Sequence, residues 1–144
     1  MKIRLEPVTV ASRAAVERLE TAPGQEGFVE SVAECLAEAD RRRCWRPVGV
    51  YDGDALIGFA MYGFFWEYLP LLGRLWLDRL LIDRRFQGRG YGRAALAALL
   101  ERLEREYHKK RIYLSVVEAN RPAAALYESF GFRFTGERDT HANG

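Results

Sequence analysis

The chain has 144 residues, 49% of them hydrophobic and 29% charged, which suits one globular domain with a single core and lacks the polar bias of a disordered chain. Its 22 basic and 20 acidic residues leave a net charge of +2, so no global field points to nucleic acid. The longest uncharged run, Ala55 to Trp66, is too short to span a bilayer, and acids from Glu6 onward argue against a signal peptide, so the expectation is a soluble cytoplasmic protein with Cys35 and Cys44 as reduced thiols.

Residues 2–8 alternate well enough for an opening strand, and Thr9 to Glu20 place Ala14, Ala15, Val16 and Leu19 at mostly helical spacing. Beyond turn-forming residues 22–27 a second helix is predicted, with Phe28, Val29, Val32, Ala33, Leu36 and Ala37 opposite Glu30, Glu34 and Glu38. Residues 47–65 read as a hairpin about Asp52-Gly53. LGRLWLDRLLID (72–83) is apolar on both parities and predicts a central strand. A glycine-rich loop leads from it into a helix over Tyr91 to His108, whose apolar face is Leu96, Leu99, Leu100, Leu103 and Tyr107. A strand over 111–118, a helix from Pro122 to Gly131 and a last strand over 132–138 follow. Strand, loop, helix and strand around the glycines form a parallel βαβ unit within one α/β domain that has a mixed sheet.

In that loop Gly88, Gly90 and Gly92 alternate between arginines, so exposed amides lead into a helix N-terminus, where free N–H groups and the helix dipole favour an anion. Arg84, Arg85, Arg89 and Arg93 add charge-assisted contacts to a phosphate. Arg93 with no following Lys-Ser/Thr excludes a Walker A loop, and the absence of glycine three residues after Gly90 weakens a dinucleotide fingerprint.

The segment LLIDRRFQGRGYGRAAL (80–96) resembles the acetyl-CoA motif of the GNAT superfamily of N-acetyltransferases, and VVEANRPAAALYESFGFRFTGE (116–137) resembles its Asn, Tyr and Gly-Phe pattern. The resemblance covers about residues 47–137. Within the superfamily it is most like bacterial spermine/spermidine acetyltransferases, in RPVGVY (46–51), GFAMYG (58–63), RLWLDRLLID (74–83) and KRIYLSV (110–116). It implies a central, mixed, mostly antiparallel sheet with one parallel, splayed strand pair and about four flanking helices. It also implies acetyl-CoA as cosubstrate, without a metal. Backbone groups of Leu80, Leu81 and Ile82 are then the expected pantetheine contacts, and Gln87, Gly88, Arg89, Gly90, Tyr91 and Gly92 the pyrophosphate site. Asn120 and Tyr127, seven residues apart, are expected on one helix face toward the ligand.

Acetylating an amine of pKa near 10.4 requires its neutral form, which costs about 4.6 kcal/mol at pH 7. The family uses direct attack on the thioester, with a carboxylate taking the proton and a tyrosine protonating the leaving thiolate. Asp78 is the expected base, its carboxyl raised by apolar neighbours in mid-strand. In the polyamine enzymes this position is commonly Glu, so the shorter Asp implies a water relay; the rival reading pairs Asp78 with Arg74 or Arg79. Tyr127 is the expected acid, and the Ile82 N–H the group that polarises the carbonyl.

A polyamine substrate calls for carboxylates and aromatic faces, supplied by Glu67 above all, with Tyr68, Glu30 and Asp78; Trp66, Glu26 and Glu34 are further candidates. The reading is an acetyl-CoA-dependent N-acetyltransferase of spermine or spermidine. Its alternatives are acetylation of another amine (peptide, lysine or aminoglycoside) or a non-catalytic acyl-CoA-binding module. Acetyl-CoA and a small polyamine are the expected partners, with neither nucleic acid nor membrane, and a homodimer is left open. Related chains usually continue into another strand beyond HANG, which implies a truncated end to a single domain.

Overall fold

The Asp52-Gly53 pair makes the hairpin that its sequence predicts, with Gly53 at φ 59° between β2 (Trp45–Asp52) and β3 (Ala55–Trp66). The computed structural model describes residues 1–21, 31–66, 73–108, 111–116 and 120–136. The remaining strands are β1 (Ile3–Pro7), β4 (Gly73–Ile82) and β5 (Ile112–Tyr113). The helices are α1 (Val10–Glu17), α2 (Val32–Arg41), α3 (Tyr91–Tyr107) and α4 (Arg121–Ser129), with a 3-10 turn at Arg84–Phe86. Among the described residues the sheet runs β1-β2-β3-β4-β5, antiparallel throughout except for the parallel pair β4 and β5. No helix among them is long and apolar enough to cross a membrane.

Helical and strand periodicity bury two apolar faces against this sheet. On one side Leu96, Leu99 and Leu103 of α3, all fully buried, pack on Leu5, Val48, Val50, Tyr62, Leu75 and Leu77. On the other, Val16 and Leu19 of the α1 segment and Val32, Cys35 and Leu36 of α2 pack on Phe59, Met61 and Leu81. Each such aliphatic side chain contributes about 1.5–3 kcal/mol on burial.

A β-bulge explains why β4 is apolar on both parities. Met61 of β3 lies opposite Arg79 and Tyr62 opposite Leu77, so Asp78 is the extra residue of the bulge. Leu75 and Leu77 face α3, whereas Leu81 joins the α2 side and Leu80 and Ile82 pack on the α3 side. The extra residue reverses the facing of everything after it.

Two sequence expectations need correction. Among the described residues the strand expected over 111–118 pairs only at Ile112 and Tyr113, opposite Leu75 and Trp76, and no described residue pairs with β4 on that side from Leu77 onward; residues 117–118 lie outside the described residues. Residues 132–136 alternate aromatic and polar side chains but form no strand, and Phe134 is 73% exposed, because no described strand offers them a ladder. Residues 137–138 lie outside the described residues.

Candidate functional site

Among the described residues, the second half of β4 has a ladder on one side only, toward β3. A Cβ on Gly58 would come within 2.3 Å of the Leu81 carbonyl oxygen, so that carbonyl stands against β3. Strand alternation then directs the Leu80 and Ile82 backbone to the opposite edge. There the Leu80 carbonyl accepts from Arg79 Nη1 at 3.4 Å and the Ile82 carbonyl from Gln87 Nε2 at 3.0 Å. Of the three residues expected to meet pantetheine, Leu80 and Ile82 therefore present their backbone at the open edge.

The loop that follows is anchored by Asp83, buried at 2% exposure. Its carboxylate accepts from the Arg85 backbone N–H at 3.0 Å, from Arg85 Nε at 2.8 Å and from the Glu20 N–H at 3.1 Å. Burial raises its pKa, but these bonds outweigh it and hold the carboxyl below the ordinary carboxylate range. Arg84 bonds the Glu20 carboxylate at 3.0 Å. Of Arg84 and Arg85, both expected to reach phosphate, Arg84 is engaged with Glu20 and Arg85 with Asp83 inside the loop itself. Arg89 lies over the Phe86 ring, and Arg93 lies over the Phe130 ring and donates to Ser129 Oγ at 3.0 Å; these two are the cations nearest the glycines in sequence that make no described ion pair.

Gly88 and Gly90 adopt φ of 77° and 83°, a region that L side chains rarely enter, so both turns require glycine. Neither is demanded by crowding: a Cβ at Gly88 meets nothing within 4 Å, and one at Gly90 only the Met1 methyl at 3.7 Å. Gly92 has ordinary φ, and its nearest neighbour would be Leu126 at 3.7 Å. The protein's own packing leaves room along all three. Thr9, Ser31 and Asn120 cap α1, α2 and α4 with their side chains, whereas no side chain caps α3, whose N-cap is Gly90. An uncapped 17-residue helix behind an open glycine turn fits a pyrophosphate. The Tyr91 hydroxyl is engaged elsewhere, donating to Asp52 Oδ2 at 2.5 Å.

Helix α4 closes the site from the other side. Leu126 neighbours Gly92 and Ser129 holds Arg93, so the half of α4 that carries Tyr127 lies against the start of α3. Tyr127 is partly buried, its ring 5.9 Å from Phe132, and burial raises its pKa while the positive charge of Arg79 opposes the rise. A phenol so placed keeps its proton at neutral pH. Asn120 stands at the opposite end of α4 as its N-cap, Oδ1 accepting from the Ala123 N–H at 3.4 Å.

Asp78 is exposed at the bulge, so the burial expected to raise its carboxyl does not apply. Next to it in sequence Arg79 is buried, and burial lowers its pKa from the ordinary arginine value. Arg79 is the buried charge that sequence reasoning missed. It is only 6% exposed because the bulge turns it toward α2, and a one-residue bulge leaves no mark in periodicity.

On the expected substrate side, Glu26, Glu30, Glu67 and Tyr68 lie outside the described residues, and nothing is described of the Trp66 side chain. Glu34 completes a capping box with Ser31, and Glu38 bonds Arg41 at 2.7 Å, so both serve α2 itself. Cys35 is buried and Cys44 half-buried, with no disulfide between them.

Residues 13–132 match the Acetyltransferase (GNAT) family. The chain is 45% identical over 141 residues to the spermine/spermidine N(1)-acetyltransferase of Bacillus subtilis (strain 168), an alignment that covers 96% of this chain and 93% of the relative. Its fold is similar to the crystal structure of a spermidine N-acetyltransferase from Vibrio cholerae in complex with CoA and spermine, with a TM-score of 0.72 and 21% identity over 94% of this chain and 83% of that one. An aminoglycoside 6'-N-acetyltransferase from Acinetobacter haemolyticus is similar at a TM-score of 0.68 and 15% identity, over 94% of each chain.

Proposed function

The chain belongs to the GNAT acetyltransferase family and is an acetyl-CoA-dependent N-acetyltransferase, and from that premise we propose that its acceptor is a polyamine, spermine or spermidine, and that Tyr127 and Asp78 handle the protons. The observation that carries the site reading is the meeting, at one end of β4, of an open strand edge, an uncapped helix N-terminus and a phenol. The polyamine reading is supported by 45% identity to the Bacillus subtilis enzyme over nearly the whole chain.

Acetyl-CoA supplies a thioester whose acetyl group the amine takes. Leu80 and Ile82 offer backbone groups to its amides, and the N–H groups from Gln87 to Gly92, with Arg89 and Arg93, receive its phosphates. The Ile82 N–H supports developing charge on the carbonyl oxygen. Asp78, exposed at the bulge, accepts the ammonium proton through water, which suits a short carboxylate there. Tyr127 Oη delivers a proton to the departing sulfur; its raised pKa keeps that proton available. Glu67, Tyr68 and Glu30 are proposed to meet the distal ammonium groups. Asn120 retains its proposed place at the ligand, its amide N–H groups being apart from the cap. The protein is read as cytoplasmic.

Thiol release from acetyl-CoA across a panel of polyamines, peptides, lysine and aminoglycosides tests this. Turnover with polyamines that Tyr127→Phe lowers at least about tenfold supports the reading, as a general acid contributes roughly 10²–10⁴-fold. Preference for another amine would reassign the substrate, and acetyl-CoA binding without any turnover would reject the enzyme reading.

A further inference from the structure

The turn at Asp52-Gly53 is served equally by Asn or Asp, so the hairpin alone leaves the charge of Asp52 unexplained. A carboxylate in the neighbourhood of a phosphate site repels the ligand, which makes its presence there informative. Both of its oxygens accept hydrogen bonds. Oδ2 takes the Tyr91 hydroxyl at 2.5 Å and Oδ1 the Lys2 backbone N–H at 2.8 Å. The bond to Tyr91 holds the Asp52 carboxyl below the ordinary carboxylate range, and the same bond raises the Tyr91 phenol, so the donor is a phenol and the acceptor an ionised carboxylate at neutral pH. The support beneath the carboxylate is itself fixed: the Gly53 N–H donates to the Lys2 carbonyl at 2.9 Å, and Arg4 Nη2 donates to the Gly53 carbonyl at 2.9 Å.

From this anchor a chain of contacts leads to the glycine loop. Tyr91 is the first residue of α3, directly after the N-cap Gly90, and its ring meets Phe86 edge to face with centroids 6.1 Å apart. Arg89 lies over that same Phe86 ring at 5.7 Å. Tyr91 and Phe86 both pack on the α3-side core, so they share one face of the sheet.

Resting on the reading of Gln87 to Gly92 as the pyrophosphate site, we propose that Asp52 is a positioning residue for acetyl-CoA: through the Tyr91 hydroxyl it sets the start of α3, and through the Phe86 ring the place of Arg89, against the phosphates. Its effect falls on affinity for acetyl-CoA, since no group in this chain handles the amine or the thiol.

The sign of one substitution separates positioning from charge. Asp52→Ala takes a negative charge away from the phosphates, so electrostatics alone would tighten binding. Positioning predicts the reverse. Acetyl-CoA affinity by titration calorimetry should weaken about threefold to tenfold, a part of what a hydrogen bond to a charged group supplies, and KM for acetyl-CoA should rise more than kcat falls. Asp52→Asn, which keeps an acceptor oxygen without the charge, should bind more tightly than Asp52→Ala. Tyr91→Phe removes one oxygen atom and leaves the ring against Phe86, and it should weaken binding by a similar factor. The double variant should bind about as well as the weaker single one, because both losses pass through one bond. Tighter or unchanged binding in Asp52→Ala, no recovery in Asp52→Asn, or losses that multiply in the double variant would overturn the proposal. Should Asp52→Ala not fold, Tyr91→Phe carries the test, and wild-type affinity there overturns it equally. Failure of the phosphate reading has its own signature: Gly90→Asp and Gly90→Asn would then bind acetyl-CoA equally, a comparison in which Asp52 and Tyr91 are untouched.

Discussion

Gly90 allows the phosphate reading to be tested with charge as the only variable. Its φ of 83° favours glycine, and a Cβ there meets only Met1 at 3.7 Å, so a small side chain fits the unliganded protein. Asn and Asp tolerate the left-handed region best among substituents and have almost the same shape. Each should cost at most about 1–2 kcal/mol of stability. The aspartate variant should melt no lower than the asparagine one, since a negative charge at a helix N-terminus adds about 0.3–1 kcal/mol. Acetyl-CoA binding should run the other way. A carboxylate about 5 Å from a phosphate charge is repelled by about 0.8 kcal/mol in bulk water and about 3 kcal/mol at an effective dielectric of 20. Gly90→Asp should therefore bind acetyl-CoA roughly fourfold to 150-fold more weakly than Gly90→Asn by titration calorimetry. The gap should shrink as salt is raised, the Debye length falling to about 3 Å at 1 M. Equal affinities in two folded variants would remove the phosphate from this loop.

Three further substitutions probe the frame around it. Asp83→Asn should cost roughly 1–3 kcal/mol in a thermal melt at pH 7, because the Arg85 and Glu20 donors lose an ionised acceptor. Asp83 sits below the ordinary carboxylate range, so its contribution is complete above about pH 4 and lost as pH falls through the folded value; the gap between wild type and variant should close on acidification. Gly58→Ala places a Cβ 2.3 Å from the Leu81 carbonyl oxygen, which should shift the end of β4, cost roughly 1–3 kcal/mol by denaturant melt and weaken acetyl-CoA binding; a wild-type melt would contradict the close approach. Asp78→Asn should lower turnover most at low pH, where the amine is hardest to deprotonate, with acetyl-CoA affinity nearly unchanged; a wild-type pH–rate profile would clear Asp78 of the base role.

Where a feature depends on a few adjacent residues, the chain declares it. Asp52-Gly53 announces the hairpin, Pro122 the start of α4, and the alternating glycines the open helix N-terminus. Tertiary choices are hidden. Arg84 and Arg85 look identical in sequence to Arg89 and Arg93, yet Glu20 and Asp83 claim the first two, and nothing local tells which arginine has an acid waiting across the fold. The Asp78 bulge is an offset between two strands, so it exposes Asp78 and buries Arg79 against the expectation from either side chain alone. RIYLSVVE is rich enough in β-formers to suggest eight strand residues, but among the described ones only Ile112 and Tyr113 pair with β4. The site reading depends on that short pairing among the described residues.

The central claim is that this acetyltransferase takes a polyamine. Equimolar spermidine, spermine, a lysine-containing peptide and an aminoglycoside should be offered together with limiting acetyl-CoA, and the acetylated products weighed by mass spectrometry. Acetyl-spermidine and acetyl-spermine should dominate, and their share should fall when Glu67→Gln replaces the wild type, by up to about fivefold for an exposed pair. A mixture led by the peptide or the aminoglycoside would contradict the claim.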